Sequence, residues 1–320
     1  MSKFNHRIFA DEDPSNVHVP LKTGLEYAVS AIRYLDRENE NADEKFAILH
    51  LYAAIEVLLK VRLIQEHWTL VIADSRNASL AKYHAGDFKS VGAEEAVRRL
   101  NDICKLGLPG YRNSPLKRAE EMRNRQQHFG LNESPIAIRA VSIPAYNYLI
   151  QFIEEHLSPG SYQYERELID AALSEIRDRL PHLSDLIEQR YRQVEPELGS
   201  SPNPVIRCTR CQMMALEVLS TGGRCSVCLG QWSNTQELAE EYALEVRGHN
   251  IPADRCPTCR SISLVANVEM KSHPGGPWFC FTCTDTWRHI VLSRCCRCGH
   301  LASGCTAGIC PSCVEEFVQG

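Results

Sequence analysis

Before Cys208 this chain has a single cysteine, Cys104. It also has no long uninterrupted apolar run. The stretch from Ala47 to Leu59 is broken by His50 and Glu56 and falls well short of the ~20 residues a membrane helix needs. No membrane span and no membrane partner are expected. The start, Met1-Ser2-Lys3-Phe4-Asn5-His6-Arg7, has none of the apolar core of a secretory signal. The expected location is therefore a reducing cytoplasm, where disulfides do not persist. Charge of either sign is not in strong excess either. Lys and Arg total 35 against 40 Asp and Glu, a net charge of -5, and residues 200–320 are balanced at 10 against 10. Such a balance disfavours non-specific capture of a nucleic acid backbone, so any such contact must come from local patches.

What the chain does have is segregated. Fourteen of its 15 cysteines lie between Cys208 and Cys313, and in a reducing compartment metal binding is the default reading of such a set. With 320 residues, 44% hydrophobic and 23% charged, there is enough chain for two ordinary domains.

Residues 1–19, with Pro14 and several charges, read as an irregular arm. From Gly24, Leu25, Ala28, Val29, Ile32 and Leu35 recur at helical spacing, and a second helix is expected from Asp43 to His67. A third runs from Ala93 to Leu106, stopped by Gly107 and Pro109. A fourth begins at Ser114-Pro115, an N-cap and a first-turn proline, and ends at Gly130. A fifth spans Pro135 to Leu157. Almost nothing alternates like a strand, so residues 20–160 are expected to form an all-α helical bundle. Residues 161–194 read as a charged helical extension interrupted at Pro181, packed on the bundle or paired between subunits. Residues 195–207 read as a Pro/Gly/Ser linker.

Residues 208–320 read as three tandem β-rich zinc ribbons. The cysteines form six C-x2-C pairs: Cys208/Cys211, Cys225/Cys228, Cys256/Cys259, Cys280/Cys283, Cys295/Cys298 and Cys310/Cys313. A C-x2-C turn aims two thiolates at one ion while backbone amides bond the sulfurs, and a second turn completes a tetrahedron. Taken in order, the pairs predict three structural zinc ions per chain. In the third site Cys296, Cys305 and His300 are alternative ligands. Four thiolates around one dication carry -2, so the loaded half would stand near about -6. A site closed by four thiolates has no open position for water, which excludes a catalytic zinc. Trp278, Phe279, Phe281 and Trp287 surround Cys280 and Cys283, either as a small core or as a platform for unpaired bases.

The fourth helix carries Arg123-Asn124-Arg125-Gln126-Gln127-His128. An Arg followed five residues later by His also occurs at Arg62/His67 and Arg177/His182, so spacing alone means little. The middle match has Asn next to the Arg and Gly130 close behind the His. It resembles the HEPN superfamily, whose signature is Arg, a polar residue, three residues of any kind, then His, late in a small helical bundle. The segment Ala54-Ile55-Glu56-Val57-Leu58-Leu59-Lys60 looks like that family's Glu-containing helix. Phe129 departs from the pattern by separating His128 from the Gly. The resemblance implies a metal-independent endoribonuclease, in which His128 exchanges protons with the ribose 2'-OH and the leaving oxygen while Arg123 holds the phosphate and Asn124 orients His128. It further implies a homodimer with a shared cleft, an RNA substrate such as tRNA or another structured RNA, and toxin or antiphage roles. A protein partner or antitoxin is expected to dock on the bundle or ribbons. The rival reading is a non-catalytic adaptor.

Overall fold

The computed structural model describes residues 15–36, 44–129, 133–160, 162–247, 252–288 and 291–318. These divide into two compact units, 1–186 and 187–320. The first is helical and the second carries small antiparallel sheets with the cysteines.

In the helical unit, α1 (Ser15–Leu35) lies against α2 (Glu44–Glu66). α2 is the central element, with ten buried residues from Ala47 to Leu63 spread over broad faces. α3 (Leu80–His84) is a short exposed turn, and α4 (Ala93–Asp102), α5 (Pro115–Phe129) and α6 (Pro135–Phe152) complete the packing around α2. Local signals set several boundaries. Leu116 N–H donates to Ser114 Oγ at 3.3 Å, and Ala137 N–H donates to Ser134 Oγ at 3.2 Å, so both helices begin on a serine cap followed by proline. α6 continues through a π-helical turn, Ile153–Leu157. The stretch 135–157 is long and apolar enough to cross a bilayer, and most of it is buried within this unit.

Several boundaries differ from the sequence expectation. Of the expected arm 1–19, residues 15–19 are already helical, and residues 1–14 lie outside the described residues. Pro20 sits within α1 and removes one backbone bond without ending the helix. α4 stops at Asp102 rather than Leu106, where Lys105 turns left-handed at φ 57°. The extension divides: α7 (Gln163–Arg179) packs on α1, while α8 (Ser184–Gly199) runs into the second unit. The expected linker 195–207 is therefore the last turns of α8, a short bend, and the first strand.

The second unit opens with β1 (Val205–Arg207), β2 (Met214–Leu219), β3 (Gly222–Cys225) and β4 (Gln231–Trp232), an antiparallel sheet in that order. Gly222 is required there: at φ 147° a Cβ would lie 2.1 Å from the Trp232 carbonyl oxygen. α9 (Thr235–Arg247) follows. β5 (Asp254–Arg255), β6 (Ile262–Val265), β7 (Trp278–Cys280) and β8 (Thr286–Trp287) form a second antiparallel sheet. The last module is only the hairpin β9 (Leu292–Arg294) and β10 (Leu301–Ser303) followed by α10 (Pro311–Val318). α9 cements the first two modules: Tyr242 packs on Phe281 at 5.4 Å between centroids, and Thr235 Oγ1 meets Thr282 Oγ1 at 3.0 Å.

Close approach of α1 to α2 depends on Gly24. A Cβ there would sit 2.7 Å from Leu58 Cδ2 and 2.8 Å from Leu58 Cγ, and Leu58 is fully buried, so it has nowhere to move. Gly24→Ala would gain about 1 kcal/mol of helix propensity, but overpacking costs about 1–3 kcal/mol. The expected outcome is a lower thermal midpoint for Gly24→Ala than for wild type, measured by circular dichroism at 222 nm; a raised midpoint would show that the helices separate freely.

Candidate metal centres and the Arg123 site

Five of the six C-x2-C turns share one backbone construction. The residue four after the first cysteine lies in the left-handed region: Gln212 at 63°, Leu229 at 63°, Arg260 at 67°, Thr284 at 60° and Gly299 at 74°. The first cysteine's N–H donates to the carbonyl five residues on: Cys208 to Met213 at 2.8 Å, Cys225 to Gly230 at 2.8 Å, Cys256 to Ser261 at 2.9 Å, Cys280 to Asp285 at 3.0 Å and Cys295 to His300 at 2.9 Å. This loop turns both sulfurs to one side. The sixth pair is different, since Cys310 and Cys313 sit at the start of α10, where Val314 N–H donates to the Cys310 carbonyl at 3.0 Å.

The turns converge pairwise into three groups of four sulfurs, each group lying within 4.8 Å: Cys208, Cys211, Cys225 and Cys228; Cys256, Cys259, Cys280 and Cys283; Cys295, Cys298, Cys310 and Cys313. Individual separations are 3.7 Å for Cys208–Cys228 and Cys211–Cys225, 3.7 Å for Cys256–Cys283, 3.6 Å for Cys259–Cys280 and 3.8 Å for Cys298–Cys310. A tetrahedron with zinc–sulfur bonds of about 2.3 Å has edges of about 3.8 Å. The three groups therefore have the size of a four-cysteine zinc site. In the third, Cys296 and Cys305 stay outside the group that converges, as does His300.

Ionisation within the clusters points the same way. Hydrogen bonds from Cys208, Cys211 and Cys225 hold the Cys228 thiol far below its ordinary value, while contacts with Cys208, Cys211 and Cys228 push Cys225, and the contact with Cys211 pushes Cys208, far above it. Four thiolates coexist there only with a compensating dication. Backbone N–H groups of Cys298 and Cys310 bring Cys295 down to about 6, the amide-to-sulfur bonding expected of such turns. The donor set fits zinc, with four-thiolate ligation closed to substrate.

The aromatics beside the second cluster divide. Phe279 and Phe281 are fully buried and meet edge to face at 5.0 Å, so they are core and unavailable to bases. Trp278 and Trp287 are half-buried against the same cluster.

In the helical unit, the three Arg/His pairs have separate fates. His67 caps the 3-10 turn Trp68–Val71, accepting the Thr69 N–H at 3.3 Å. His182 Nδ1 lies 3.3 Å from buried Asp36. Arg123 is the one built into a polar recess. Its guanidinium lies over the Tyr52 ring at 4.3 Å, Nη1 donates to Gln127 Oε1 at 3.2 Å, and Nη2 is 3.8 Å from Glu56 Oε2. Glu56 also takes Lys60 Nζ at 2.8 Å. Tyr52 is in turn fixed by Tyr111, hydroxyl to hydroxyl at 3.1 Å, and burial raises both phenols. Tyr52 and Glu56 come from α2, Gln127 from α5 itself, and Tyr111 from the turn before α5. The Arg123 side chain remains 22% exposed. His128 is exposed, and among the described residues no hydrogen bond joins it to Asn124. α5 stays helical through Phe129, and Gly130 lies outside the described residues. Five residues along a regular helix separate Arg123 from His128 by about 140°, so one chain does not bring the two together.

No family model, no curated protein and no solved structure matches this chain.

Replacing Cys208 by Ser removes one of four ligands from the first cluster. The expected outcome is two zinc ions per chain instead of three by elemental analysis, with the helical far-ultraviolet signal largely kept. An unchanged zinc count would contradict the assignment of Cys208.

Proposed function

We propose that the protein is a metal-independent endoribonuclease of the HEPN type, working on RNA through Arg123 and His128. The observation that carries this reading is the way Arg123 is held. Arginines on a solvated helix face make loose pairs with neighbours a turn away; Arg123 has such a neighbour in Gln127 but is also set across the helix interface by the buried Tyr52 ring and by Glu56 of α2. A guanidinium fixed in this way, and still partly open, is ready for two charge-assisted hydrogen bonds to a phosphate. His128 lies open to solvent further along α5, and histidine is the side chain most often used to pass protons in such chemistry.

In this reading His128 accepts the proton of a ribose 2'-OH as that oxygen attacks the adjacent phosphorus, and an imidazolium returns a proton to the departing 5'-oxygen. Arg123 takes the negative charge that builds on the phosphoryl oxygens. The products are a 2',3'-cyclic phosphate and a 5'-OH. Because α5 is regular through both residues, the reading requires two chains, each lending its Arg123 and His128 to a common cleft. Asn124 belongs to that cleft as the neighbour that orients a histidine. The zinc clusters hold the second unit in shape for recognising RNA or a protein partner, and no chemical step passes through them.

A second reading, a non-catalytic adaptor, is favoured by two observations: Glu56 already serves Arg123 as a counter-ion, and among the described residues His128 has no partner that would orient it. A direct experiment separates the two. Wild type, Arg123→Ala and His128→Ala, all zinc-loaded, are incubated with a mixed RNA pool in buffer freed of magnesium and other added metal, and the product ends are identified. The nuclease reading expects cyclic phosphate ends from wild type and a loss of about 10²–10⁴-fold in His128→Ala. Equal, background cleavage by all three from folded, zinc-loaded preparations would establish the adaptor.

A further inference from the structure

The three cysteine clusters are not equally protected. All four cysteines of the first are buried, and those of the second are buried or half-buried beneath Leu264, Trp278 and Trp287. The third differs in three respects. Of the twelve cysteines in the clusters, Cys298 is the one that is exposed. The apolar cover is only Ala302, Ile309 and a further cysteine, Cys305. The same short module holds yet another thiol, Cys296, exposed and next in sequence to a cluster member, so six sulfurs share residues 295–313.

Two arginines help to hold this small module together. Arg297 lies between Cys295 and Cys298 in sequence and donates from Nη1 to the Cys313 carbonyl at 2.9 Å, with Glu316 3.9 Å away from its other nitrogen. Arg294 donates to the Gly299 carbonyl at 2.9 Å and to Asp254 at 2.9 Å. Attack by a solvent oxidant requires an accessible sulfur, and buried structural cysteines are inert.

We propose that the third cluster is a site of thiol oxidation, at which a peroxide attacks Cys298 and releases the metal of this cluster while the other two stay intact. The Cys298 thiolate attacks one peroxide oxygen; the O–O bond breaks, hydroxide leaves, and Cys298 becomes a sulfenic acid. The Cys310 thiolate, with its sulfur 3.8 Å from that of Cys298, then attacks the oxidised sulfur. An S–S bond forms, a second hydroxide leaves, and the two hydroxides are neutralised by two protons from buffer acid, giving two waters. Two electrons have passed from two thiolates to one peroxide. The cluster has lost two of its four ligands, and the zinc departs. A thiol reductant reverses the disulfide, and Cys296 and Cys305 keep further thiols at hand for exchange.

The test uses the full chain loaded with zinc. Hydrogen peroxide is added in steps, free zinc is read with a colorimetric chelator, and each cysteine is assigned as free or oxidised by alkylation and mass spectrometry. The first of three zinc equivalents is expected to leave with a Cys298–Cys310 disulfide and with the eight cysteines of the other clusters still free; reductant and zinc restore the starting state. Loss of the first equivalent with oxidation among Cys208–Cys228 or Cys256–Cys283, loss of all three together, or oxidation without zinc loss would each overturn the proposal. Cys298→His offers a second arm, since three cysteines and one histidine also hold zinc. It is expected to keep three zinc ions and to need several-fold more peroxide to lose the first. An unchanged peroxide requirement would rule out Cys298 as the point of attack.

Discussion

The second unit depends on a charge constraint: thiolates packed at under 4 Å repel one another and cannot all ionise unless a dication sits among them. Its sheets are small, several with strands of two or three residues, and strands that short do not sustain a fold by themselves. The converging sulfurs supply what the sheets lack. In zinc-finger peptides the binding energy of one structural zinc is about 10–16 kcal/mol, well above what such short ladders contribute. The apolar contacts are then arranged around the clusters: α9 buries Leu238, Tyr242 and Ala243 against the first two modules, and Leu292 and Leu301 join Leu264 beside the second.

The helical unit works by a different rule. Its stability comes from ordinary burial along α2, and the feature that bears on function is polar. Tyr52, Glu56 and Gln127 gather around Arg123 in a small network, and a network of this kind fixes a side chain more firmly than a surface pair does. That rigidity distinguishes Arg123 from the other two arginines placed five residues before a histidine. It is also what makes the functional reading depend on geometry rather than on a short pattern.

Much of this was legible from the sequence because it is written in local signals. The C-x2-C pairs, the serine caps with prolines at Ser114-Pro115 and Ser134-Pro135, and the apolar faces of α2 all act within a few residues of themselves. What was not legible needed distant or unmarked information. Pro20 and Pro196 read as breakers, yet each costs one bond in a helix whose remaining turns are well packed. α9 was hidden because the cysteines dominate its half of the chain, although Leu238, Ala239, Tyr242 and Ala243 have helical spacing. Four of the five left-handed positions in the zinc turns are held by Gln212, Leu229, Arg260 and Thr284 rather than glycine, so composition gave no sign of them. The support of Arg123 by Tyr52 is a contact between helices far apart in the chain, which no single motif records.

The central claim is that twelve specified cysteines bind three zinc ions through sulfur alone. X-ray absorption at the zinc edge, on protein whose zinc and peptide contents are both measured, tests it most directly. The account requires three zinc ions per chain and a first shell of four sulfurs at about 2.3 Å. A shell containing nitrogen or oxygen, or fewer than three ions in a fully reduced and folded sample, would contradict it.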